Sequence, residues 1–186
     1  STGVRIMNLP ADGSDSIIAV RRVIDGQEVL LTSKKGQAVR FNSNDVRSMG
    51  RASYGVKGIE LGKGDEVVSL VPVSKDEKTT ILTITEKGYG KRSELEDYRK
   101  TARGGKGVIN LKVSDKTGAV VASLGVDNKD SVILTTIKGM VLRTNMKQLR
   151  VMGRATQGVR IVKLKQGDKV ADAVIVPREE IVLEEK

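Results

Sequence analysis

The stretch TARGGKGVINLK, Thr101 to Lys112, sets two cations and three glycines into the five residues Arg103 to Gly107 and then turns apolar. A loop that cradles nucleotide phosphates needs Gly, four residues, then Gly-Lys followed by Ser or Thr. Here Lys100 stands at the first glycine's place and Gly107 follows Lys106, so that reading fails. GYGKRS, Gly88 to Ser93, fails the dinucleotide fingerprint as well, because Ser93 occupies the third glycine's place and no helical pattern follows.

The stretch is instead one copy of a repeat. TGVRIMNL, YGVKGIEL, KGVINLKV and QGVRIVKL align on Gly3, Gly55, Gly107 and Gly158, at steps of 52, 52 and 51 residues. A second series, KKGQAVRF, EKGYGKRS and IKGMVLRT, puts Gly36, Gly88 and Gly139 in register, with Arg40, Arg92 and Arg143 four residues later. Between them VRSMGRASYG, YRKTARGGKG and LRVMGRATQG align Arg47, Arg99 and Arg150, then Arg51, Arg103 and Arg154.

Within a unit, EVLLTS and QAVRF read as strands joined by a Lys-Lys-Gly turn, where Gly36 supplies the positive φ of a tight hairpin. A basic loop from Asn42 to Gly55 follows, and VKGIEL and EVVSLVPV form a second strand pair around GKGD. Four short strands per unit of about 50 residues, poor in aromatics and rich in Val, Ile and Leu, predict an all-β array of propeller-like blades, since one small sheet cannot bury its apolar face alone. The expected units are blades at 28–78, 79–129 and 130–177, preceded by the second half of a blade at 1–27 and followed by an acidic tail at 178–186. Residues 4–23 are expected to supply strands to the first. Such an array forms an open arc, part of a larger ring, or half of a dimeric ring.

Composition narrows the chemistry. With no Cys and no His, Cys/His zinc sites, Cys or His nucleophiles and the Ser-His-Asp arrangement are excluded. No apolar run approaches the roughly 20 residues that span a bilayer, which predicts a soluble protein without a membrane partner. Net charge is +10 and the sequence pI is near 9.8, pointing to an anionic partner. Segments 34–57, 86–107 and 138–160 hold 19 of the 33 Lys and Arg and carry a net +14, whereas the rest of the chain carries −4. If equivalent parts of the blades share a rim, it becomes a curved basic stripe suited to a long polyanion. Four aromatic residues make a poor base-stacking platform, so duplex is favoured over single strands. The candidate DNA contacts are Arg40, Arg47, Arg51, Lys57, Lys91, Arg92, Arg99, Arg103, Gly104, Gly105, Lys106, Gly107, Arg143, Arg150, Arg154 and Arg160. The rival for the arginines is structural, holding neighbouring blades together through carbonyl contacts. The rival function is a protein-docking module that wraps no DNA.

The period, the runs EKGYGKR and GRATQGV, and ARGGKG resemble the C-terminal domain of DNA gyrase A, and more distantly that of topoisomerase IV. The resemblance covers essentially the whole chain and corresponds to the later blades. It implies a β-pinwheel of four-stranded blades that wraps duplex DNA on a basic rim, as a non-catalytic part of an ATP-dependent type II topoisomerase that introduces negative supercoils. It also implies a cytoplasmic, nucleoid-associated location, partnership with the rest of gyrase A and with gyrase B, and no cofactor in this chain. Of that family's box motif, Arg103, Gly104, Gly105, Lys106 and Gly107 match, while Thr101 and Ala102 replace the first two residues.

Overall fold

The computed structural model describes residues 3–73 and 79–176. The described residues form eleven strands, three short 3₁₀ turns and no α-helix. The first hairpin is β1 (Glu28–Ser33) and β2 (Gln37–Asn42), closed at Gly36 and followed by β3 (Val67–Val73). The second unit supplies β4 (Thr80–Thr85), β5 (Tyr89–Glu94), β6 (Val108–Ile109) and β7 (Val120–Val126). The third supplies β8 (Ser131–Thr136), β9 (Val141–Asn145), β10 (Val159–Arg160) and β11 (Val170–Val176). Each hairpin's second strand ends in a 3₁₀ turn: Ser43–Asp45, Leu95–Asp97 and Met146–Gln148.

The sheets are antiparallel, with orders β3-β1-β2-β6, β10-β5-β4-β7 and β11-β8-β9. The fourth strand of the first sheet thus comes from the second unit, and that of the second sheet from the third. VKGIEL, expected as a strand of its own blade, pairs with none there. Its equivalents in the next two units cross to the preceding sheet. Strand β3 packs against β7, and β7 against β11, so these strands line the inside of the arc, while β6 and β10 lie on its outer edge.

Strand period explains the packing of the middle blade. In TILTIT, Leu82 and Ile84 join Val132, Leu134 and Met146 of the third unit in one core, whereas Ile81 joins Leu30, Val71, Leu95 and Tyr98 in the core shared with the first. Each of these aliphatic side chains contributes about 1.5–3 kcal/mol by leaving water. The alternate face also carries Thr83, whose hydroxyl donates to Asn110 Oδ1 at 3.1 Å in a buried polar cluster with Tyr98 and Ser123.

Two expectations need correction or lie out of reach. Residues 3–27 form no strand, and Val4, Ile6, Ile17, Ile18, Val20 and Ile24 are exposed. No β1–β2-type hairpin among the described residues stands beside this segment to pair with it. It does keep its repeat position, because the Asn8 amide donates to Ser53 O at 3.0 Å, as Glu60 does to Gly105 O and Lys112 to Thr156 O. The expected acidic tail at 178–186 lies outside the described residues.

Candidate nucleic-acid interface

The recurring arginines divide by where their guanidinium groups point. Arg92, only 2% exposed, crosses from the second blade to the third: Nη1 donates to Met146 O (2.8 Å), Leu149 O (3.3 Å) and Asn128 Oδ1 (2.9 Å). Its Nε and Nη2 donate to Thr80 Oγ1 at 3.0 and 2.8 Å. Arg40 makes the equivalent crossing to Leu95 O (2.8 Å) and Tyr98 O (3.2 Å), with Glu28 in the place of Thr80, 2.5 Å from Nη2. Burial pushes the Glu28 carboxyl up, but Arg40 and then Lys100 outweigh it and hold it below its ordinary value. Arg143 holds the same position in the third blade, yet it is exposed and no described carbonyl accepts from it.

The second arginine series repeats this logic. Arg103 donates to Asp45 O (2.9 Å) and Lys57 O (3.1 Å) of the first unit. Arg154 donates to Asp97 O (2.9 Å) and Ile109 O (2.8 Å) of the second. Arg51, their counterpart in the first unit, is exposed without a described partner. Lys35, Lys87 and Lys138 recur in the same way, each donating from Nζ to a turn carbonyl, Lys63 O, Asp115 O and Gln166 O.

The basic loops run along the outer edge of the preceding sheet. Thr101 N donates to Arg40 O (2.8 Å), Gly104 N to Gly58 O (2.7 Å), and the chain then turns in as β6 at Ala38 and Gln37. Close approach makes glycine necessary at that turn. Gly107 has φ 75°, and a Cβ there would stand 2.1 Å from Ala38 O; Gly158, φ 76°, repeats the fit 2.4 Å from Gly90 O.

The sequence-based contacts therefore separate. Lys91 and Arg92 are a correction: both are buried and face other blades or the core rather than the rim. Burial pulls the Lys91 ammonium down to about 7, with Asp97 opposing and Arg154 adding to the fall, while its Nζ donates to Ser93 Oγ at 2.5 Å. Arg40, Arg103 and Arg154 donate to carbonyls at blade junctions, the structural role weighed for them in the sequence, and the Gly104 amide donates to Gly58. Arg47, Lys57, Arg99, Lys106, Arg150 and Arg160 are exposed. The first loop cation of every unit, Arg47, Arg99 and Arg150, has no described partner. Lys100 bridges Arg40 and Val151 bridges Arg92, so the loops of Arg99 and Arg150 meet the preceding sheets at equivalent points. Gly105 lends its carbonyl to Glu60. Lys163 and Lys169 share the edge near Arg160; Lys163 stands in register with Lys112 of the aligned stretch KGVINLKV, whereas Lys169 has no recurring cation at its place.

Small antiparallel sheets that exchange outer strands around an arc, with cationic loops on the outside, define a propeller-type, β-pinwheel domain. The family model described as DNA gyrase C-terminal domain, beta-propeller, matches residues 1–24, 27–74, 79–126 and 130–177. The chain belongs to that family. The DNA gyrase A protein of Fibrobacter succinogenes is 45% identical over 167 residues, 90% of this chain and 18% of that protein. Its counterpart in Salmonella typhimurium is 38% identical over 170 residues, 91% and 19% of the two. The chain thus spans about a fifth of these relatives. A solved structure of a DNA gyrase A C-terminal domain matches with a TM-score of 0.85 at 30% identity, over 92% of this chain and 57% of that one. A topoisomerase IV C-terminal domain shares the fold, with a TM-score of 0.76 at 23% identity over 81% and 46%.

Proposed function

We propose that this domain binds duplex DNA largely without regard to sequence and holds it curved along the outer edge, through Arg47, Lys57, Arg99, Lys106, Arg150 and Arg160. One observation carries the reading: Arg47, Arg99 and Arg150 all stay exposed and unpartnered by the described residues, while Arg40, Arg92, Arg103 and Arg154 of the other two series pin blades together. Cations placed at one point of each successive blade meet phosphates at a regular step and carry no base readout. Within a whole gyrase A protein, curved duplex held here would stand beside the strand-passing part and support ATP-dependent negative supercoiling together with gyrase B. This chain's own role is to bind and shape DNA rather than to cut it.

A salt titration tests the reading. Six outward cations on about six phosphates give a log–log slope near −5.4, so affinity falls by roughly 10³ between about 50 and 200 mM salt. The variant Arg47→Ala/Arg99→Ala/Arg150→Ala should reduce the slope by about three units. A flat salt dependence of the parent chain, or an unchanged slope in the variant, contradicts the assignment.

A further inference from the structure

Beside the loop that begins at Arg150, the junction of the second and third units forms an open cleft of about 410 Å³ lined by Lys87, Arg160, Lys163 and Lys169 over Val162 and Leu164. Asp168 is the only acid in that lining. Its Oδ1 accepts the backbone amides of Lys138 (3.2 Å) and Lys169 (2.8 Å), which turns the carboxylate into its own hairpin. Burial raises the Asp168 pKa, and the hydrogen bonds outweigh it and hold the group below its ordinary value. The lining carries a formal net +3; Lys169 Nζ is paired to Glu86 outside it at 2.7 Å and Lys87 Nζ donates to Asp115 O, so Arg160 and Lys163 hold the donors least engaged by the protein. The apolar floor of Val162 and Leu164 helps to focus such a field.

Arg160 is held in place by Tyr89. Its Nη2 donates to Tyr89 Oη at 2.9 Å, and its guanidinium carbon lies 5.3 Å from the centre of the Tyr89 ring, which also has Lys116 Nζ at 5.5 Å. Tyr89 is itself 8% exposed, so it is a fixed post. The other guanidinium N–H groups of Arg160 have no described acceptor. Lys163 is exposed and unpartnered by described residues.

Position relates this pocket to the rim. Along β5, Arg92 bridges Val151 at the start of the loop, and Tyr89 pairs with Arg160 at the pocket. Those three residues of strand cover about 10 Å. That is the scale of a B-DNA groove, about 12 Å for the major and about 6 Å for the minor. At the junction of the first and second units the residue equivalent to Arg160 is Ile109, which breaks the cluster there.

We propose that the pocket formed by Lys87, Arg160, Lys163 and Lys169 between the second and third blades seats a backbone phosphate of the bound duplex, one groove away from the loop cation Arg150. The inference rests on the duplex-binding reading. It adds a second row of phosphate contacts, specific to this junction, which a single line of loop cations does not provide.

The test compares Arg160→Gln/Lys163→Ala with Arg99→Ala/Arg150→Ala in salt titrations of a duplex of about 40 base pairs. Loss of about two slope units in both pairs supports the pocket. Loss only in the loop pair overturns the pocket and leaves duplex binding standing, and loss in neither overturns both. Inorganic phosphate and pyrophosphate are titrated separately, followed by amide shifts at Gly167 and Asp168. Saturation by either, with no competition against duplex, reassigns the pocket to a free anion and overturns the proposal. A second measurement is independent of folding changes in the double variants: because the chain has no cysteine, Lys163→Cys carries a single photo-crosslinker. Crosslinks to duplex that fade with salt support the proposal, and their absence at saturating duplex overturns it.

Discussion

Arg92→Met set against Arg143→Met asks whether the repeating arginines hold blades together. Both occupy the same repeat position, but Arg92 donates five hydrogen bonds into two blades and Arg143 is exposed. Hydrogen bonds from a charged donor are worth about 1.5–3 kcal/mol each and do not add, and methionine recovers part of the packing while sparing the desolvation of a charge. Loss of the Arg92 network, with Met146 O and Leu149 O left without their donor, should therefore cost about 3–5 kcal/mol. Arg143→Met should stay within about 0.5 kcal/mol. With a urea m-value of about 2 kcal/mol/M, the Arg92 variant's midpoint falls by about 1.5–2.5 M, while that of Arg143→Met barely moves. Circular dichroism against urea measures both, and hydrogen exchange should show β8 and β9 losing protection first in Arg92→Met, since neighbouring blades stabilise one another. Equal midpoint shifts in the two variants, or an Arg92 shift under about 0.3 M, would refute the pinning role.

Two further variants address the backbone and the buried lysine. Gly158→Ala and Gly55→Ala both place a side chain at positive φ (76° and 83°), but only Gly158 meets a carbonyl, 2.4 Å from the added Cβ. The shared conformational cost is about 1–2 kcal/mol, and Gly158→Ala should exceed Gly55→Ala by a further 1–3 kcal/mol or so in thermal or urea unfolding. Similar losses would show that β10 does not depend on that approach. Lys91 has a folded pKa of about 7 against about 10.4 unfolded, so between those values the unfolded chain binds more protons and stability rises with pH. Urea midpoints from about pH 7 to 9.5 should climb in the parent chain and flatten in Lys91→Met. Tyr98, whose pKa burial raises, loses its contribution only above the ordinary tyrosine value near 10 and leaves that window clear. A slope that survives in Lys91→Met assigns the pH response elsewhere.

The blades were legible because a fixed step of glycines and arginines forces equivalent turns at equivalent places, and Gly36, Gly88 and Gly139 all take the positive φ the hairpins need. The exchange of outer strands was legible only through the resemblance to β-pinwheels, since Val108–Ile109 and Val159–Arg160 are too short to show a period. The arginines misled for a physical reason. A guanidinium that bonds a neighbouring blade's carbonyls and one that waits for phosphate leave the same mark in a repeat, and only the fold tells Arg92 from Arg99. Residues 4–23 carry strand-like composition, but composition does not supply the hairpin that would pair with it. Lys87, by contrast, stood in register with Lys35 and Lys138, and that recurrence was a readable sign of its turn contact.

Curvature of the bound duplex is the central claim, and ring closure measures it. Duplex of about one persistence length, roughly 150 base pairs, closes slowly because smooth bending is costly at that scale. With this chain bound, ligase should close such fragments faster in proportion to occupancy, and Arg47→Ala/Arg99→Ala/Arg150→Ala should return the rate to that of free DNA. Saturated binding with the closure rate of free DNA would show that the outer edge holds duplex without bending it, and would contradict the account.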